Sequence, residues 1–425
     1  MQLYNLKDDT QVVDFETAVK TGLGRNQGLF FPKTLTPRDD IDELLAMDIH
    51  DRNFAILRPF VSENIDDDGL KTIIKNTFAF PAKLNQVNEN SHCLELFHGP
   101  TLAFKDFGAN FMANCLSYFA QEHSITILTA TSGDTGAAVA HAFYNRPNIQ
   151  AVILFPKGKV SQLQQSMFTT LGGNIHAFAV DGAFDDCQAL VKQSFDQQEL
   201  VKQIGLNSAN SINISRLLAQ VCYYFDAYAQ LPESARDEVV ISVPSGNFGN
   251  LCAGIIARTL GLPIKRFIAA TNVNDTVPRY LLSGEWSPKE TIATLSNAMD
   301  VSQPNNWPRI QYLVDTKQFD GNDLTGFAVS EEQTEVSMRN MQDQGYLSEP
   351  HAAVAYHALS HSIQPGETGI FLGTAHPAKF KSSVDDILGL DIPLPEALAK
   401  CSVKEDLAKD LSADFSALEK ELLNL

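Results

Sequence analysis

The chain has 425 residues, too many for one compact core, and its formal net charge of −19 excludes the basic surface needed to wrap nucleic acid or an anionic membrane. It contains no apolar run of membrane-spanning length, and acidic residues stand at Asp8 and Asp9 where a secretory signal needs an apolar core. Six scattered cysteines, Cys93, Cys115, Cys187, Cys222, Cys252 and Cys401, form no Cys-x-x-Cys pair and read as reduced core residues of a cytoplasmic protein with a small-molecule partner.

Residues 1–92 read as an N-terminal α/β extension with helical patterns at 15–21, 40–47 and 69–78. The glycines of 22–28 miss dinucleotide spacing by one residue and follow no strand, so they mark a surface turn. The run Asp66-Asp67-Asp68 lacks the further carboxylates of a calcium loop and reads as a helix start or loop. Residues 93–235 form a first α/β unit, with buried parallel strands at 125–129, 151–155 and 175–180 and helices at 135–144, 161–171 and 185–195.

A second unit, 236–393, has strands at 239–243, 267–271 and 369–373 and its clearest helix at 250–260. Residues 284–330 are Pro-rich and irregular, an ordered loop carrying Trp307. The tail 394–425 reads as two charged helical patterns on the surface. The fold class is α/β, with two open, mostly parallel domains and a ligand cleft beyond the carboxyl ends of their strands.

Lys105 stands between Phe104 and Phe107, after a Gly99-Pro100 turn and at the start of a helical pattern. An ammonium held among aromatics is poorly hydrated, which lowers its pKa and suits it to imine formation with a carbonyl compound. The same lysine could equally snorkel its ammonium to water. Three polar strand ends bear on the choice. Ser245-Gly-Asn-Phe-Gly-Asn250 joins a strand to a helix, as a phosphate cradle or a tight turn does. Without a closing Lys and Ser/Thr it is not a nucleoside triphosphate loop. Thr131, Ser132, Gly133, Asp134 and Thr135 occupy the same position in the first unit, suited to a carboxylate or a helix cap. Thr374 could offer a hydroxyl to a heterocycle nitrogen, and His376 sits beside the next helix start.

Against an acidic background an anionic ligand requires local cations, which singles out Lys157, Lys159, Arg216 and Lys379. Asn213 and Arg216 lie near the start of the helix 217–228. No metal site is expected: His357 and His361 lie four apart with no zinc motif around them and read as a solvated helix face. No Gly-x-Ser-x-Gly elbow is present.

Together, the 98–108 stretch around Lys105, the Ser-Gly-Asp-Thr-Gly loop, the Gly-Asn-Phe-Gly-Asn loop and the 373–379 turn resemble the threonine synthases of the bacterial and yeast branch. That family lies in the tryptophan-synthase-β-like, fold type II group of pyridoxal phosphate enzymes. The resemblance runs through nearly the whole chain and is weakest after about residue 390. It implies that Lys105 is the imine-forming lysine, that Gly246, Asn247, Phe248, Gly249 and Asn250 hold the cofactor phosphate, and that Thr374 faces the pyridine nitrogen. Ser132, Gly133, Asp134 and Thr135 are then substrate-facing, with a contact between Asp134 and the cofactor's ring hydroxyl left open. Lys157, Lys159, Asn213 and Arg216 are implied for the substrate phosphate. The implied reaction converts O-phospho-L-homoserine and water into L-threonine and phosphate, in a monomer or weak homodimer. Its alternatives are a phospho-lyase or dehydratase on the same fold that releases 2-oxobutyrate, and a non-catalytic metabolite sensor.

Overall fold

A computed structural model describes residues 1–120 and 124–425. They build three sheets. The first is antiparallel and small, with Leu3–Asn5 between Asp8–Val13 and Phe30–Pro32. The second has six strands in the order Leu324–Ala328, Ile264–Thr271, Val239–Pro244, Thr368–Gly373, Ser91–Glu95 and Lys83–Asn88, parallel except for the last pair. The third is wholly parallel, in the order Lys409–Ser412, Ile175–Asp181, Ile149–Pro156, Ile125–Ala130 and Leu206–Ser208.

The central strands are runs of Val, Ile, Leu and Ala buried on both faces, as parallel strands covered by helices require. In the six-stranded sheet the neighbours Val239–Pro244, Thr368–Gly373 and Ser91–Glu95 end side by side. The glycine loop, Thr374 and the Lys105 segment therefore leave the same edge of the fold. The helix Ile214–Gln230 is buried from Ile214 to Tyr228 and packs on both the Lys105–Phe119 helix and the Gly249–Thr259 helix. Its Tyr223 meets Phe107 edge-on at 5.6 Å, and its Tyr224 hydroxyl donates to the Asn250 carbonyl at 2.7 Å. A buried ion pair, Arg52 to Asp226 at 2.8 Å, ties that helix to the N-terminal extension.

Four parts of the chain depart from the sequence reading. The stretch 284–330 holds a helix, Trp307–Asp315, and the edge strand Leu324–Ala328; the helix is short with Pro308 in its first turn, and the strand is half-exposed, so neither shows a clear apolar period. The tail inserts the strand Lys409–Ser412 between its two helices and pairs it with Ile175–Asp181. Ser91–Glu95, which straddles the expected division at 92/93, belongs with Lys83–Asn88 to the six-stranded sheet. His357 is not on a solvated face: the helix Pro350–Ser360 is apolar nearly all round, so it is buried, and it packs on the six-stranded sheet. His357 faces the Ser337 hydroxyl at 2.9 Å, and its burial pushes its pKa down to about 4. Among the described residues no helix is long and apolar enough to cross a membrane, and all six cysteines are buried and unpaired.

Candidate active site

The Lys105 segment is stitched to the turn after Thr368–Gly373. Phe104 N–H donates to the Thr374 carbonyl at 2.9 Å, His376 N–H donates to the Leu102 carbonyl at 3.0 Å, and Ala103 bridges Ala375. Leu102 turns the chain at φ 58°, and Asp106 fixes the approach by accepting from Thr101 N–H at 2.9 Å and from its hydroxyl at 2.5 Å. A side chain at Gly99 would place its Cβ 2.4 Å from the Asp106 carboxylate, so the turn needs glycine.

Lys105 is the first residue of its helix and its side chain is only 16% exposed, so it does not snorkel. Burial pushes its pKa down to about 8; Asp134 opposes the shift, while Lys379 and Arg216 add to it. Its Nζ is 3.8 Å from Asp134 Oδ2. Asp134 is itself held by Lys379, whose Nζ is 2.7 Å from Oδ1, and by Gln164 Nε2 at 3.2 Å. Burial alone would raise the Asp134 pKa, but Lys379 and Lys105 outweigh it and hold the carboxyl well below the usual range.

Val239–Pro244 opens into the glycine loop. Phe248 adopts the left-handed conformation at φ 61°, and its ring is braced edge-on by Trp307 at 5.7 Å. The N–H groups of Gly246, Asn247, Phe248 and Gly249 donate to no acceptor among the described residues, and they surround the N-terminus of the Gly249–Thr259 helix. Asn250 closes the loop by donating from Nδ2 to the Pro244 carbonyl at 2.8 Å. Unpaired donors at a helix N-terminus form an anion cradle.

On the facing sheet, the Thr131 hydroxyl accepts from Gly133 N–H at 2.9 Å and Gly136 N–H at 2.8 Å, which shapes the loop at the end of Ile125–Ala130. Ser132 there is exposed and Thr135 half-buried. Arg216 is buried among the cations that act on Lys105; its Nη1 donates to the Ala209 carbonyl at 2.5 Å, its Nε has no partner among the described residues, and burial pushes its pKa down to about 10. Lys159 lines a cavity of about 480 Å³ with Gln164, Thr294, Lys379, Ser382 and Ser383.

Two expected phosphate groups lie elsewhere. Lys157 is half-exposed and pairs with Asp410 at 2.7 Å, because the tail strand runs beside its own turn. Asn213 is fully buried and caps the Ile214–Gln230 helix, its Oδ1 accepting from Ser215 N–H at 3.1 Å and its Nδ2 donating to the Val19 carbonyl at 2.9 Å. Lys379 stood out from the sequence only as a cation near a helix start. Its pairing with Asp134 follows from the order of strands, which no local pattern reports.

The pyridoxal-phosphate dependent enzyme family matches residues 81–372, the threonine synthase N terminus matches 4–78 and the threonine synthase C-terminal family matches 352–421. Threonine synthase of Escherichia coli (strain K12) is 59% identical over 426 residues, covering 100% of both chains. The chain belongs to the threonine synthase family. A crystal structure of threonine synthase from Escherichia coli matches with a TM-score of 0.95 over 100% of both chains, at 59% identity. A pyridoxal-phosphate-bound threonine synthase from Brucella melitensis matches with a TM-score of 0.94 at 31% identity, covering 100% of this chain and 99% of that one.

As a member of the threonine synthase family the chain is a pyridoxal-phosphate-dependent enzyme, and its residues fit that cofactor. The unpaired N–H groups of Gly246–Gly249 suit a phosphate, Lys105 has the depressed pKa that an imine-forming lysine needs, and Thr374 stands at the strand end between them.

Proposed function

We propose that the chain converts O-phospho-L-homoserine and water into L-threonine and phosphate, by γ-elimination of phosphate and addition of water at Cβ. The observation that carries this reading is the convergence of three buried or mostly buried cations, Lys105, Lys379 and Arg216, on a site with one ion-paired carboxylate, Asp134. A site so charged, in a chain of net charge −19, favours a phosphorylated ligand over free serine or threonine.

Bound pyridoxal phosphate supplies the electron sink for charge developing at the substrate Cα. Lys105 carries the cofactor and, once released from it, takes and returns protons at Cα and Cβ; a lysine with a pKa of about 8 is neutral often enough near neutral pH to act as a base. Gly246, Asn247, Phe248, Gly249 and Asn250 hold the cofactor phosphate, and Thr374 offers its hydroxyl to the pyridine nitrogen. Ser132–Thr135 face the substrate, while Arg216 and Lys159 steady its phosphate as it leaves. Lys157 and Asn213 take no part, since both are engaged elsewhere. The acidic surface and six unpaired, buried cysteines suit a cytoplasmic enzyme that acts on a small molecule as a monomer or weak homodimer, without nucleic acid or membrane.

The test is to incubate the holoenzyme with O-phospho-L-homoserine and identify the products. Threonine and phosphate in equal amounts are expected. Dominant 2-oxobutyrate and ammonia would replace this reading with that of a lyase, and no turnover, with no imine absorbance from added cofactor, would leave a metabolite sensor.

A further inference from the structure

Asn306 lies in the stretch 284–330 that the sequence presents as irregular, directly before the helix Trp307–Asp315. It is fully buried, and its side chain makes no capping bond to that helix. Arg309 Nη1 donates to its Oδ1 at 2.7 Å. A guanidinium only donates, so the atom facing it must be the amide oxygen, and the orientation of the amide is fixed. Nδ2 is then turned the other way, and it has no hydrogen-bond partner among the described residues. It points at the glycine loop: a Cβ built on Gly249 would lie 3.3 Å from Nδ2.

The backbone holds this placement. Asn306 N–H donates to the Asn247 carbonyl at 3.2 Å, and Asn305 N–H donates to Asn247 Oδ1 at 3.1 Å. Arg309 is fully buried and pairs with no carboxylate among the described residues. Its Nη2 donates to the Phe30 carbonyl at 2.9 Å and the Ile212 carbonyl at 2.7 Å. A buried amide donor with no acceptor is costly, and here it stands beside a helix N-terminus whose own N–H groups are unpaired.

We propose that Asn306 donates from Nδ2 to the phosphate of the cofactor, as a ligand outside the glycine loop, and that Arg309 is the positioning residue that aims it. The proposal rests on reading Gly246–Gly249 as the cofactor-phosphate cradle. It makes the N-terminal extension part of the cofactor site, since Arg309 is anchored on the Phe30 carbonyl.

The test compares pyridoxal phosphate with pyridoxal, which lacks the phosphate, on apo wild type, Asn306→Ala, Asn306→Asp and Arg309→Met, following imine absorbance to obtain a dissociation constant for each. Melting of the apo proteins reports folding. Wild type is expected to hold pyridoxal phosphate far more tightly than pyridoxal. Asn306→Ala is expected to lose about ten- to a hundredfold in affinity for pyridoxal phosphate and none for pyridoxal. Asn306→Asp, of the same shape but bearing a charge, is expected to lose more, and Arg309→Met an intermediate amount. Should wild type fail to distinguish the two ligands, the cradle reading itself falls. If wild type distinguishes them and the folded Asn306 variants keep the same ratio, or lose both ligands equally, the assignment of Asn306 is overturned; where one Asn306 variant does not fold, the other decides.

Discussion

Lys379 closes on Asp134 at 2.7 Å, an ion pair set against the same carboxylate that Lys105 approaches only to 3.8 Å. The consequence is a division of labour between two lysines. Lys379 also donates to the Thr101 carbonyl at 2.8 Å, so its ammonium is fully engaged and held charged. Lys105 keeps the longer contact, and burial brings its pKa to about 8. Only the second lysine is available as a nucleophile near neutral pH.

Asp134→Asn tests the sign of that coupling. Asp134 is the neighbour that raises the Lys105 pKa, so removing its charge is expected to move the pH midpoint of imine formation in the apo enzyme to lower pH. The same change leaves Lys379 buried without its partner, at an expected cost of about 3–5 kcal/mol in unfolding free energy. Absorbance at graded pH and denaturant melts measure the two effects, and an alkaline shift would contradict the assignment.

Lys379→Met is expected to shift the midpoint the other way. Lys379 is one of the cations that depress the Lys105 pKa, and without it Asp134 is left to stabilise the Lys105 ammonium alone. Imine formation would then require higher pH. Shifts of the same sign in Asp134→Asn and Lys379→Met would rule out a direct electrostatic origin.

Arg216→Ala is expected to weaken O-phosphohomoserine binding by roughly 1.5–3 kcal/mol more than it weakens cofactor binding, the size of a lost charge-assisted bond. Lys157→Ala serves as the comparison, because that side chain pairs with Asp410 away from the cavity, and its KM is expected to match wild type. Equal losses of cofactor and substrate in Arg216→Ala would remove Arg216 from the substrate site.

Gly246→Ala probes the cradle through space rather than backbone strain. The new Cβ would meet the Ala298 carbonyl oxygen and Met299 Cα, each at 2.9 Å. That turn cannot easily retreat, since Ala298 N–H donates to His351 Nε2 at 3.1 Å and His351 Nδ1 is 2.6 Å from Glu349. Overpacking of this kind costs about 1–3 kcal/mol, expected here as weaker binding of pyridoxal phosphate in a cofactor titration.

The chemistry at the strand ends was readable because parallel strands buried on both faces leave uninterrupted apolar runs, and the polar loops that follow them stand out by contrast. Lys105, Thr374 and the glycine loop were found in this way. Contacts set by tertiary order were not. Lys157 and Lys159 differ by a turn through Gly158 at φ 70°, and only the second reaches the cavity. Lys157 was drawn off by Asp410, on a strand too short and too polar to be recognised in the tail. Asn213 looked like a ligand because helix caps and anion sites use the same residue types. Asn306 gave no signal at all, since an unpartnered amide exists only once Arg309 and Gly249 have been brought beside it.

The most direct measurement is to reduce the holoenzyme with borohydride, which fixes the cofactor covalently to the amine that carries it, and to map the labelled lysine by mass spectrometry. Pyridoxyl label at Lys105, absent in Lys105→Ala, is the expected result. Label at Lys379, the other buried lysine beside Asp134, would contradict the account.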